Sequence, residues 1–420
     1  MKEIVLGQRM ERDELREGNY VRREGLAPAH RSIQSPLIKV ITGPRRAGKS
    51  VFAIQMLKDL DFAYLNFDDE RLVNISDYDD LLKAIRQVYG KTKVLFFDEI
   101  QNLKNWELFV SRLYRQGYNL ILTGSNAHLL SKELATHLTG RHIPFRLFPF
   151  SFSEFLKARK VSLNETMSLK ENQGTLLNLL EQFLNQGGFP EIILKEVDPK
   201  NYLTTLFESI LFKDIVKRYN VRFSKKLSDL ANYLITHHSS DYSFSRLRKT
   251  LDFRSVNTVE KYLSYLTEAF LIFDVERFSF KLKEVLKSPR KVYAYDTGMI
   301  QAVKFRISPD LGKLMENLVA IDLLRRGAEF FYYRTSTGKE VDFVVKKGTR
   351  IEQMIQVCYN MEDYRTRKRE ISALVRVAGE LGCQNLMILT WDEAGVEQTA
   401  DGELVIKPLW KWLLETRLKE

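Results

Sequence analysis

Residues 37–50, Leu-Ile-Lys-Val-Ile-Thr-Gly-Pro-Arg-Arg-Ala-Gly-Lys-Ser, constrain the fold more than any other stretch of the chain. Leu37, Ile38, Val40 and Ile41 read as a buried strand, and the apolar spacing after Ser50 reads as an amphipathic helix. Between them, Gly43 to Ser50 has the spacing G-x-x-x-x-G-K-[ST] of a phosphate-binding loop, in the strand-loop-helix setting that such a loop needs. The glycines let backbone N–H groups close around phosphate oxygens, and the free N–H groups of the helix start favour negative charge. The expected cradle is Gly43, Pro44, Arg45, Arg46, Ala47, Gly48, Lys49, Ser50 and Val51. Lys49 is expected on the β- and γ-phosphates and Ser50 on Mg²⁺, which makes ATP and Mg²⁺ the implied cofactors.

Lys93 to Ile100, KVLFFDEI, is an apolar strand ending in two acids. Such a strand delivers its terminal carboxylates to the carboxyl edge of a parallel sheet, beside the phosphate loop. Asp98 is then expected to hold Mg²⁺ with Ser50, and Glu99 to polarise the attacking water; the competing reading of such a pair is a helix N-cap. Tyr118 to Asn126, YNLILTGSN, is a further buried strand, and Ser125 or Asn126 at its tip either senses the γ-phosphate or simply forms a turn. Arg141, in His137-Leu-Thr-Gly-Arg141, reaches a phosphate of its own subunit or of a neighbour, or is a plain surface arginine. Residues 1–36 are a polar lead-in, in which Tyr20, Arg22 and Arg23 either fold back toward the nucleotide or form a solvated basic turn.

Together GPRRAGKS, VLFFDEI, ILTGSN, Gly140-Arg141, FPFSFSEFL at 148–156 and GGFPE at 187–191 resemble the AAA-like branch of additional-strand P-loop ATPases. Within it the chain is similar to prokaryotic and archaeal predicted ATPases whose C-terminal half is restriction-endonuclease-like and of unassigned function. That resemblance implies a parallel sheet in which an extra strand separates the phosphate-loop strand from the acidic one, and Glu99 as the catalytic base.

The expected fold class is α/β: a P-loop NTPase parallel sheet, a helical and winged-helix middle region, and a C-terminal α/β restriction-endonuclease-like domain. The boundaries read as an ATPase core at 37–156, a helical connector at 157–200, a winged-helix-like domain at 201–290 and the last domain at 291–420. In the middle region, short helical patterns and a tight turn precede the strand-like LIFDVERFSFKL. Residues 211–300 carry 17 Lys and Arg against 10 Asp and Glu, a net of +7 in a chain of +11 and pI near 9.3. Such a balance favours a polyanionic partner. Arg246, Arg248, Lys249 and Arg254 at the turn, with Lys281, Lys283, Lys287, Arg290 and Lys291 on or after the wing, are the DNA-contact candidates; solvated basic residues in a domain that only joins its neighbours are the alternative.

In the last domain Glu316, Asp342 in EVDFVV and the strand ending IQVC follow the restriction-endonuclease-like order of metal-binding acids. The order breaks where it matters, because Gln356 stands for the second metal carboxylate and Cys358 for the lysine. A nuclease-like fold without nuclease activity is therefore expected, with Lys346, Lys347 and Lys368 the only candidates for a migrated lysine; ordinary surface carboxylates are the competing reading of Glu316 and Asp342. Two cysteines, Cys358 and Cys383, build neither a disulfide framework nor a cysteine zinc site, so a reducing cytoplasm is the default. No apolar run approaches a membrane span, and no signal-peptide core follows Met1. The functional expectation is an ATP-hydrolysing motor or switch on DNA, possible as a homo-oligomer. Its alternatives are an ATP-gated regulatory or defence scaffold for a protein partner, and an ATP-dependent nuclease.

Overall fold

The computed structural model describes the chain except residues 74, 76, 128–139, 162–169, 305–309, 400–401 and 416–420. His137 to Thr139 and part of the expected connector lie outside the described residues. Two compact units result: Met1–Phe150 with Glu268–Phe270, and Ser151–Thr267 with Leu271–Glu420.

The first unit is built on five parallel strands, β1 (Ile38–Thr42), β2 (Ala63–Asn66), β3 (Val94–Asp98), β4 (Asn119–Gly124) and β5 (His142–Arg146), in the order β2-β3-β4-β1-β5. β4 separates the phosphate-loop strand β1 from the acidic strand β3, as the resemblance implied. The central strands are apolar nearly throughout because both faces are covered. Val40, Leu95, Phe97 and Leu122 pack into one core, while Ile41, Phe96 and Ile121 alternate with them into the other.

The lead-in is more than a lead-in. Helix Lys2–Glu17 lies along the open edge of β2, and Gln8 exchanges hydrogen bonds with the strand backbone: its Nε2 donates to Asn66 O at 3.0 Å and its Oε1 accepts from Asn66 N at 3.1 Å. Arg12, 5% exposed, donates to Phe62 O. An otherwise unpaired sheet edge is thereby closed by side chains.

The second unit contains two sheets. The smaller is antiparallel, with β6 (Ser240–Tyr242), β7 (Ile272–Val275) and β8 (Arg290–Ala294) in the order β6-β8-β7, accompanied by helices Ser224–Thr236, Phe244–Thr250 and Val256–Glu268. The larger has the order β13-β14-β12-β11-β10-β9, formed by β9 (Glu329–Arg334), β10 (Glu340–Lys347), β11 (Arg350–Val357), β12 (Leu386–Thr390), β13 (Gly395–Thr399) and β14 (Gly402–Pro408). The expected boundary at 290 is corrected by this pairing, because β8 is the central strand of the smaller sheet. The sequence KVYAYD reads as the first strand of a new α/β domain only while its partners, residues 240–242 and 272–275, are unknown. The β7–β8 connection is also fastened to the larger sheet, where Phe278 N donates to Tyr332 O and Tyr332 N to Glu276 O.

Candidate active site

Gly43 follows β1 at a φ of 154°, and a Cβ there would meet Leu147 O at 2.0 Å, so the close approach of the backbone requires glycine. Gly48 takes a φ of 90° and opens helix Lys49–Met56. Lys49 is buried, its ammonium 3.3 Å from Gly43 O, 3.2 Å from Pro44 O and 3.3 Å from Glu99 Oε1. The ammonium thus rests on carbonyls of its own loop and on Glu99, contacts for which a phosphate would compete. Arg45 pairs with Asp68 at 3.7 Å and Arg46 is exposed. Of the lead-in residues, Arg23 does fold back: it donates to Ala47 O of the loop at 2.8 Å and to Phe148 O at 2.6 Å, while Arg22 is exposed.

β3 brings Asp98 and Glu99 to the same edge. Parallel register pairs Phe97 with Leu122, which sets Thr123 beside Asp98. The Thr123 hydroxyl donates to Asp98 Oδ1 and accepts from Glu99 N at 3.0 Å. Ser50 is a further hydrogen-bond partner of Asp98. Burial pushes the Asp98 carboxyl up, and neighbouring Glu99 adds to the shift. Burial also works against charged Glu99, but the Lys49 ammonium beside it prevails and holds this carboxyl below its usual range. Glu99 therefore stays ionised against the lysine, while Asp98 and Ser50 supply a carboxylate and a hydroxyl, hard oxygens suited to Mg²⁺.

Glu99 adopts a φ of 49°, a backbone region uncommon for a non-glycine residue. Its Oε2 accepts from Ser125 N at 3.2 Å and from the Gln101 amide. Ser125 and Asn126 are both buried at the tip of β4, and Ser125 N donates to Glu99. Thr123 and Gln101 were not singled out in the sequence; Thr123 lies within the quoted ILTGSN and Gln101 directly after VLFFDEI.

Arg141 is a correction for the phosphate of its own subunit. β5 runs parallel to β1 with His142 opposite Ile38, so Arg141 lies at the amino edge of the sheet. The phosphate loop leaves the opposite edge, about 16 Å away at roughly 3.3 Å per strand residue. Its guanidinium lies over the Tyr114 ring instead.

In the second unit, Arg246, Lys249 and Arg254 are exposed and Arg248 half-exposed, on helix Phe244–Thr250 and the turn after it. Among the described residues none of the four has an ion-pair partner. Lys281, Lys283 and Lys287 are exposed. Arg290 and Lys291 are corrected as wing residues. Arg290 pairs with Asp274 at 2.6 Å and Glu276 at 3.0 Å. Lys291 is 3% exposed and points into the acidic cluster, 2.9 Å from Glu316, 3.1 Å from Asp342 and 2.6 Å from Glu340. Burial disfavours its charge, yet the carboxylates, Glu316 foremost, hold Lys291 well above the usual lysine range.

The structure does bring Glu316, Asp342 and Gln356 together. Glu316 and Asp342 share the Lys291 ammonium, and Gln356 Oε1 accepts from Asp342 N at 3.2 Å. The ammonium sits between the two acids. Among the described residues no cluster of three or more His, Cys, Asp or Glu is arranged to hold a metal. The expected migrated lysines point elsewhere: Lys346 pairs with Glu329, Lys347 with Glu352, and Lys368 lies over the Tyr364 ring.

This loop, acidic strand and interposed strand define an AAA-type P-loop ATPase fold, and comparison with known proteins agrees. Residues 35–156 match the AAA domain family, residues 177–310 a domain of unknown function (DUF8612) and residues 311–400 another (DUF4143). An uncharacterized protein of Methanocaldococcus jannaschii is 37% identical over 90% of this chain and 88% of its own length. One of Haemophilus influenzae is 31% identical over 78% of this chain and 83% of its own. The chain belongs to the family of these two proteins. Among solved structures, the Walker-type ATPase of Pyrococcus abyssi matches 68% of this chain and 96% of its own, at 17% identity and a TM-score of 0.45. Among the described residues no helix is long and apolar enough to cross a membrane.

Proposed function

We propose that the protein hydrolyses ATP with Mg²⁺ and uses the nucleotide state to change how its C-terminal half engages DNA. The observation that carries this reading is the Lys49–Glu99 pair at 3.3 Å, with Asp98 and Ser50 beside it. A γ-phosphate competes with Glu99 for the Lys49 ammonium, which frees Glu99 to polarise water. Mg²⁺ held through Ser50 and Asp98 neutralises charge developing on the phosphates.

We read the three helices and the β6-β8-β7 sheet as a winged helix, with Arg246, Arg248, Lys249 and Arg254 as phosphate contacts. The larger sheet is read as restriction-endonuclease-like and inactive. Lys291 supports that reading, since its ammonium occupies the place between Glu316 and Asp342 that catalysis would need for a metal. The deciding experiment is ATP hydrolysis measured with and without single-stranded, duplex and branched DNA. Strong stimulation supports action on DNA, and an unchanged rate with every DNA refutes it.

One observation favours the second reading, a protein-binding switch. Phe280, Leu282 and Leu286 are 79%, 72% and 67% exposed within one short loop and helix. Such apolar exposure suits a protein partner better than phosphates.

A further inference from the structure

The short turn Ile100–Asn102 after β3 directs Gln101 back toward the acids. Its Nε2 donates to Glu99 Oε2 and lies 3.4 Å from Ser125 Oγ. Its Oε1 is buried and has no hydrogen-bond partner among the described residues. Turning the amide over would set its carbonyl against the Glu99 carboxylate, so the charge of Glu99 dictates which end faces it. Glu99 is thereby gripped from three sides, by Lys49 on Oε1 and by Ser125 N and Gln101 on Oε2. A buried carbonyl oxygen without a donor is costly, and it sits beside the carboxylate assigned to activate water.

We propose that Gln101 is a second catalytic residue of the ATPase site: its amide N–H fixes Glu99, and its free carbonyl accepts a hydrogen bond from the attacking water. The inference rests on Glu99 acting as base. An attacking water has two hydrogens to place. One passes to Glu99 as a proton, while the other hydrogen-bonds to Gln101 Oε1 and stays on oxygen. The water oxygen bonds to the γ-phosphorus, the bond from phosphorus to the β–γ bridging oxygen breaks, and ADP leaves with that electron pair. Gln101 is neutral before and after, so its contribution is orientation.

The test compares full-length Gln101→Met and Glu99→Gln with the unaltered chain, measuring kcat and KM for ATP, affinity for a fluorescent ATP analogue, and thermal melting. Methionine keeps the length and removes both polar ends. The expected result for Gln101→Met is a kcat lower by roughly tenfold or more, below the about 10²–10⁴-fold that the general base itself supplies, with KM, affinity and melting essentially unchanged. A kcat within about twofold of the unaltered chain overturns the proposal, and so does a loss of affinity or melting temperature that accounts for the fall. If Glu99→Gln is inactive and Gln101→Met is not, only this inference fails. If Glu99→Gln turns over normally, the base assignment fails with it.

Discussion

Replacing Lys291 by methionine removes the one cation that pairs with both Glu316 and Asp342 among the described residues, while keeping most of the side-chain volume; Glu340 keeps Arg334 as a partner. Lys291 is 3% exposed, Glu316 8% and Asp342 6%, so the acids left behind have little access to water. Breaking a buried ion pair from one side costs about 3–5 kcal/mol. At about 2–4 °C per kcal/mol for a unit of this size, melting should fall by roughly 6–20 °C. The loss should depend on pH, and its sign follows from the acids. Burial raises the folded carboxyls of Glu316 and Asp342 above their unfolded values, with Lys291 opposing the shift. A carboxyl with a raised folded pKa binds its proton more tightly when folded, so its contribution is favourable at low pH and is lost as pH rises through the folded value. Without Lys291 only hydrogen bonds oppose this, from the Tyr293 hydroxyl to Glu316 and from Val357 N to Asp342, and the variant should be penalised more at about pH 8 than at about pH 5.5. Calorimetry or circular dichroism at both values reads the effect, and Lys291→Met combined with Glu316→Gln and Asp342→Asn should recover part of it. A variant that melts with the unaltered chain at both pH values would refute the electrostatic account of this cluster.

Other outcomes follow from the same geometry. Lys49→Ala should lose tight ATP binding, because the ammonium and the loop hold the phosphates together; equilibrium titration with a fluorescent ATP analogue checks it, and undiminished affinity contradicts it. Replacing Arg246, Arg248 and Lys249 together by alanine should weaken DNA binding and flatten its salt dependence by about one slope unit per lost phosphate contact; an unchanged slope moves the partner from DNA to protein. The protein should not cut supercoiled or branched DNA in Mg²⁺ or Mn²⁺, with or without ATP. Cleavage that disappears in Asp342→Ala would restore the nuclease reading.

The local features were legible, and the long-range ones only where the family resemblance supplied them, as for the interposed strand β4 and the meeting of Glu316, Asp342 and Gln356. Gly43 to Ser50 and the acids of VLFFDEI carry their chemistry in contiguous residues, and each strand end lies where its apolar run stops. Thr123 gains its place beside Asp98 only through the register of β3 against β4. Arg141 misled because adjacency along the chain says nothing of which sheet edge a parallel strand starts from. Lys291 misled for a related reason. A lysine flanking an apolar strand reads as exposed, and only the pairing of β8 between β6 and β7 shows that it is buried against acids 25 and 51 residues later. The exchange between Gln8 and Asn66 spans 58 residues and has no signature in a polar helix.

The central claim is that Glu99, held by Lys49, Ser125 and Gln101 beside Asp98, makes this site a Mg²⁺-dependent ATPase. Steady-state phosphate release by the unaltered chain and by Glu99→Gln, with ATP binding measured on the same samples, addresses it directly. The account predicts Mg²⁺-dependent turnover by the unaltered chain, and binding without turnover by Glu99→Gln. Equal turnover by the two proteins, or none by the unaltered chain despite bound ATP and Mg²⁺, would contradict it.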